Sequence, residues 1–114
     1  MEPIRNIQLF KNYYKTFYVS QTDEVRKKIN FVINIIRTVK VIPKKFFQQI
    51  EGINGLYEIR VEYNGNIYRI FCCQDKGSLV ILFNGFQKKT QKTPLKELKK
   101  AEEIMKEYQN SKDK

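Results

Sequence analysis

A chain of 114 residues with 41% apolar residues, including seven tyrosines and eight phenylalanines, can bury the core of one folded domain, which excludes a disordered segment. Its 22 lysines and arginines against 12 acidic residues leave +10, divided as +6 over residues 1–57 and +4 over residues 58–114, so the basicity belongs to the whole body and favours polyanions, nucleic acid or a ribonucleoprotein first. The absence of histidine excludes Ser-His-Asp and Cys-His nucleophiles, paired-histidine ribonuclease chemistry and histidine-bearing zinc sites.

Any general acid or base must therefore be Lys, Asp, Glu, Tyr or Cys. Cys72 and Cys73 are adjacent, so in a strand they point to opposite faces and form neither a normal disulfide nor a C-x-x-C site; they read as small buried hydrophobes. With no signal-peptide pattern and no apolar run near about 18 residues, a cytoplasmic location and no membrane partner are expected.

In chain order, Ile7 and Leu9 alternate with polar neighbours as in a first strand, and Phe10, Tyr13, Tyr14, Phe17 and Tyr18 fit either a helical stripe or a strand. A strand running into a turn of helix is the reading adopted. Thr22 and Asp23 offer an N-cap and a first-turn acid, and Val25, Ile29, Val32, Ile36 and Val39 then mark one face of a helix. Residues 43–52 read as a short second helix opened by Pro43 and closed by Gly52.

From Leu56 the pattern becomes strand-like. Tyr57, Ile59, Val61 and Tyr63 alternate with Glu58, Arg60 and Glu62, and Asn64-Gly65 is a two-residue hairpin signal because both central positions of a type I′ turn need positive φ. A returning strand, a turn at residues 75–77 and an apolar strand at residues 79–83 complete a meander. Thr93 as N-cap and Pro94 at the first helical position open a last helix, with Leu95, Leu98, Ala101, Ile104, Met105 and Tyr108 on one face. The expected fold is α+β, a curved antiparallel sheet made of the meander plus the N-terminal strand, with helices packed on one face. One domain over residues 1–109 and a disordered tail at residues 110–114 are expected.

The hairpin fixes a register. With a two-residue loop Tyr63 opposes Asn66, and Arg60 then lies directly across from Arg69. Facing like charges require either nearby carboxylates, for which Glu58 and Glu62 qualify as an ion-pair ladder, or an anion bound between them. Beyond the last strand, Lys88, Lys89, Lys92, Lys96, Lys99 and Lys100 against Glu97 give a local +5, and Gly85 permits close backbone approach. This segment reads either as a solvated linker or, since the meander brings it beside the hairpin, as part of a basic cluster with the arginines. Such a cluster could stabilise the charge of a phosphodiester-cleavage transition state, with a lysine of lowered pKa moving a proton, or could simply grip RNA.

The runs GLYEIRVEYNGNIYRIF and LVILFNGFQKKTQKTPLKELKKAEE resemble the RelE/HigB-type toxins of bacterial toxin-antitoxin modules, in particular a phage-derived HigB-like branch. The resemblance implies a RelE-like fold and a cytoplasmic toxin that cuts translated mRNA in the ribosomal A site without metal or cofactor. It also implies a cognate antitoxin, with the ribosome and mRNA as the other partners. By motif position Arg60 matches a basic family position, Arg69 a functional arginine, and Lys88 or Lys89 a further basic position; Arg60, Arg69, Lys88 and Lys89 are the catalytic candidates, with Gln87, Lys92 and Lys96 as RNA contacts. On this reading Arg69→Ala abolishes toxicity and leaves the fold intact. Glu58 stands where RelE proper has lysine, and the chain closes on a helix rather than a short tail with a catalytic tyrosine, so Tyr108 is assigned to the core. A ParE-like gyrase inhibitor and an inactive basic binding module are the alternatives.

Overall fold

The computed structural model describes residues 2–112. Five strands, β1 (Asn6–Leu9), β2 (Phe47–Gln49), β3 (Leu56–Tyr63), β4 (Asn66–Asp75) and β5 (Leu79–Lys88), form one sheet in the order β1-β5-β4-β3-β2. Three helices accompany it, α1 (Tyr13–Val19), α2 (Asp23–Thr38) and α3 (Leu95–Lys112).

The meander of β3, β4 and β5 is antiparallel as expected, while β1 runs parallel to β5, because the chain crosses through α1 and α2 before re-entering the sheet. The hairpin closes as the sequence predicts: Asn64 and Gly65 both have positive φ, at 53° and 82°, and Tyr63 pairs with Asn66. Residues 43–52 do not form a helix. Phe47, Gln48 and Gln49 pair instead with Ile59, Glu58 and Tyr57, satisfying backbone groups on the outer side of β3, and Phe47 stacks on Tyr57 at 5.0 Å.

The two faces of the sheet carry different helices. Val25, Ile29, Val32 and Ile36 of α2, with Tyr14 and Phe17 of α1, pack on Ile59, Val61, Ile70, Cys72, Val80 and Leu82. Ala101, Ile104, Met105 and Tyr108 of α3 pack on Leu56, Phe71, Cys73, Ile81 and Phe83 on the opposite face. The expectation of all helices on one face is thus corrected for α3. Strand alternation makes both sides of β4 and β5 apolar, and a second layer must cover what α1 and α2 leave bare. Cys72 and Cys73 point to opposite faces, both free and buried.

Helix ends follow from local chemistry. Thr22 accepts a hydrogen bond from the Val25 amide at 3.3 Å, Asp23 and Glu24 occupy the first turn, and Val39 caps α2 rather than joining its face. The Arg5 guanidinium donates to the carbonyls of Ile36, Val39 and Lys40, tying the first segment to the negative end of α2. In α3 the Pro94 carbonyl accepts from Glu97 and Leu98, and Leu95 lies outside the core at 72% exposure. The helix continues through Lys112, so residues 110–112 are not the expected disordered tail. Lys112 pairs with Asp75 at 2.6 Å, and the Tyr108 hydroxyl also donates to Asp75, which holds the last turn against the β4–β5 turn. Residues 113 and 114 of that expected tail lie outside the described residues.

Candidate functional site

The face covered by α3 is open at its hairpin end. There Arg60 on β3 and Arg69 on β4 are direct register partners, and Arg69 in turn pairs with Phe86 on β5. Lys88 closes β5 opposite Ile67, so the three strands deliver two guanidiniums and the start of the lysine segment to one place. A cleft of about 790 Å³ is lined by Arg60, Arg69, Gln87, Lys88 and Lys89, together with Glu62 and the hairpin. Five of the seven sequence-predicted residues therefore meet in one cavity, while Lys92 and Lys96 are exposed outside its lining.

The two arginines differ in environment. The Arg69 side chain is 2% exposed and that of Arg60 31%, with Glu58, itself 12% exposed, between them. Glu58 Oε1 lies 3.3 Å from Arg69 Nε, and Oε2 lies 3.8 Å from Arg60 Nε. Glu58 thus supplies the carboxylate that the like-charge pair demands. These are charge contacts without hydrogen-bond geometry: Arg60 Nε, Arg69 Nε and Glu58 Oε1 are buried and have no hydrogen-bond partner among the described residues. Glu62 lines the cleft and pairs with neither arginine within ion-pair distance among the described residues. Burial lowers the Arg69 pKa from its usual value, opposed by Glu58 and reinforced by the neighbouring charge of Arg60. A guanidinium nevertheless stays charged near neutrality, so the site holds two fixed cations, one buried and one partly open to the cleft.

Other groups that can do chemistry stand apart. Burial raises both thiols, Cys72 well above the usual range and Cys73 to about 11, which removes them as nucleophiles at neutral pH. Tyr108 lies in the α3 core and donates a hydrogen bond to Asp75, in keeping with its assignment as a core residue. No group of three or more Cys, Asp or Glu side chains able to hold a metal occurs among the described residues.

The close approach allowed by Gly85 serves packing. A Cβ placed there would lie 2.6 Å from the Phe17 ring, so α1 sits directly on the β5 backbone. Sequence reasoning missed Asn84, buried at 2% with both side-chain polar atoms lacking a hydrogen-bond partner among the described residues. Its signal was present as a polar residue directly ending the apolar run of β5.

The architecture is that of RelE. A chain of the archaeal RelE–RelB complex from Pyrococcus horikoshii OT3 superposes with a TM-score of 0.55 at 15% identity, over 74% of this chain and 94% of that one. Residues 17–106 match the family of phage-derived proteins described as Gp49-like (DUF891), and the chain belongs to that family. The RelE/HigB-type likeness read from the sequence is met at the level of family and fold. No curated protein matches the sequence significantly. No helix among the described residues is long and apolar enough to cross a membrane.

Proposed function

We propose that the protein is the toxin of a toxin-antitoxin module, an endoribonuclease that cuts mRNA on the translating ribosome, in the cytoplasm. The observation that carries this reading is the Arg60–Arg69 pair, set in one open cleft beside Lys88 and Lys89. In the reaction the RNA 2′-oxygen attacks the adjacent phosphorus, the bond to the 5′-oxygen breaks, and the 2′-proton and the leaving oxygen need an acceptor and a donor. Arg60 holds the non-bridging oxygens with its part-exposed guanidinium, and buried Arg69 supports the added charge of the pentacoordinate transition state electrostatically. Lys88 and Lys89, which line the same cleft, are assigned proton transfer or a further phosphate contact, and Gln87, Lys92 and Lys96 extend the grip along the message.

The partner follows from charge and from the neighbour in fold, which is recorded with its own RelB. An antitoxin neutralises a +10 body most readily with acidic and apolar residues laid on the basic face. The test is induction in a translating extract with mapping of new 5′ ends on a reporter message, with translation running and with it blocked. Cuts confined to translated message support the assignment. Intact message, with the protein folded and plasmid supercoiling altered, would replace it with gyrase inhibition.

A further inference from the structure

A second cavity, of about 630 Å³, lies at the sheet edge where β1 has ended. The last pair of β1 with β5 is Leu9 with Leu82, and Lys11, with φ 55°, turns the chain away into α1. Beyond Leu82 the outer edge of β5 therefore has no partner strand among the described residues. Asn84 contributes to the floor of this cavity, and it is the residue whose buried amide has neither its donor nor its acceptor engaged. It sits at a β-bulge, since Leu82 pairs with Cys72 and Gly85 with Ile70, leaving Phe83 and Asn84 opposite Phe71 alone. Bulges of this kind re-aim a side chain beside functional sites.

The lining defines the ligand. Phe17 and Phe86 give aromatic walls, Lys11 and Lys100 give positive charge, and no lining residue is acidic. Lys11 is engaged by Glu107 at 2.8 Å, whereas Lys100 has no ion-pair partner among the described residues. An amide offers a donor beside an acceptor, the complement of the edge of a nucleobase; aromatic rings stack on bases, and a lysine takes the phosphate. Gln87 lines both this cavity and the arginine cleft, and Asn84 is about 13 Å along the strand from Lys88, so one RNA strand can reach both.

We propose that this cavity binds one unpaired base of the RNA substrate, read by Asn84, with the attached phosphate on Lys100. The proposal rests on the ribonuclease reading above and names a second contact for the same substrate. A peptide strand from a protein partner fits less well, because the bulge interrupts the regular edge that an added strand needs.

The test uses the full chain, labelled with ¹⁵N, titrated with AMP and followed at the side-chain amide of Asn84, whose resonance is identified by its loss in Asn84→Leu. A saturable shift of that amide is expected, with AMP affinity about tenfold weaker in Asn84→Leu. Should that variant not fold, Lys100→Glu must weaken AMP by a similar factor. AMP shifts confined to the arginine cleft, or undiminished affinity in a folded Asn84→Leu, would overturn the proposal. So would a short glutamate-rich peptide that moves Asn84 where AMP does not, and the cavity would then belong to a protein partner. The two readings fail separately: uncut message with AMP still saturating Asn84 removes the enzyme and keeps a nucleotide pocket, whereas cut message with Asn84 unmoved by AMP removes the pocket alone.

Discussion

Arg60 and Arg69 oppose one another directly across the β3–β4 ladder, and the carboxylate of Glu58 lies within 3.3 Å of one and 3.8 Å of the other. The pair is asymmetric, since Arg69 is buried and Arg60 partly open to the cleft. Binding at the accessible guanidinium and electrostatic support from the buried one are therefore separable by mutation.

Burial changes what Arg69→Ala reports. Removing the guanidinium leaves a void and strands the Glu58 charge at 12% exposure, with an expected stability loss of roughly 3–5 kcal/mol, so the intact fold expected from sequence does not carry over. Arg69→Lys keeps the charge and loses the planar fork; it should melt closer to the wild type and still cut message poorly. Urea melts of both variants beside the cleavage assay check this, and a fully stable Arg69→Ala would show that the burial carries no energetic weight.

Glu58→Gln removes the carboxylate from between two cations. A loss of about 1–2 kcal/mol is expected after discounting the contact to part-exposed Arg60 for solvent screening. Added sulfate should restore part of the lost melting temperature, more than it raises that of the wild type, because an anion in the cleft can supply the negative charge the arginines have lost. Equal responses of the two proteins to sulfate would remove the anion site.

Gly85→Ala drives a methyl group against the Phe17 ring and should cost about 1–3 kcal/mol. Pairing it with Phe17→Leu should return part of that loss, a coupling that a double-mutant cycle reads directly. Additive losses in the double variant would mean that α1 adjusts elsewhere.

Asp75 holds the last turn of α3 through Lys112 and Tyr108 and accepts from the Lys76 amide of its own turn, and these contacts keep its pKa well below the usual carboxylate value. A folded-state pKa below the unfolded value of about 4 gives stability that is present above that pH and is lost as the pH falls toward the folded pKa. Stability should therefore decline below about pH 4, and Asp75→Asn should flatten that part of the decline while lowering stability at neutral pH. Parallel acid limbs in the two proteins would contradict the assignment.

The arginine pairing was legible because it depends on local information. Asn64-Gly65 fixes the turn, the turn fixes the register, and the register places Arg60 against Arg69. The helical face of α2 was legible for a similar reason, as its period is local to the segment. What escaped was non-local. The strand at Phe47 exists only because β3 offers it an edge, and the periodicity of α3 identifies its apolar side without saying which face of the sheet it covers. The burial of Arg69 escaped because alternation alone gives Arg60 and Arg69 the same environment, whereas Arg69 lies between β3 and β5 beside Phe86. The unpartnered amide of Asn84 depends on a bulge, for which the sequence offers only a polar residue after five apolar ones.

The central claim is that the arginine pair cuts message, and Arg60 is the member to remove, because its part-exposed side chain can be truncated with little strain. The decisive measurement is the rate at which wild type and Arg60→Ala produce new 5′ ends on a translated reporter, at equal amounts of folded protein. A fall of about 100-fold or more in the variant is predicted, the scale of losing a preorganised transition-state contact. Equal rates would contradict the account and move the chemistry away from this cleft.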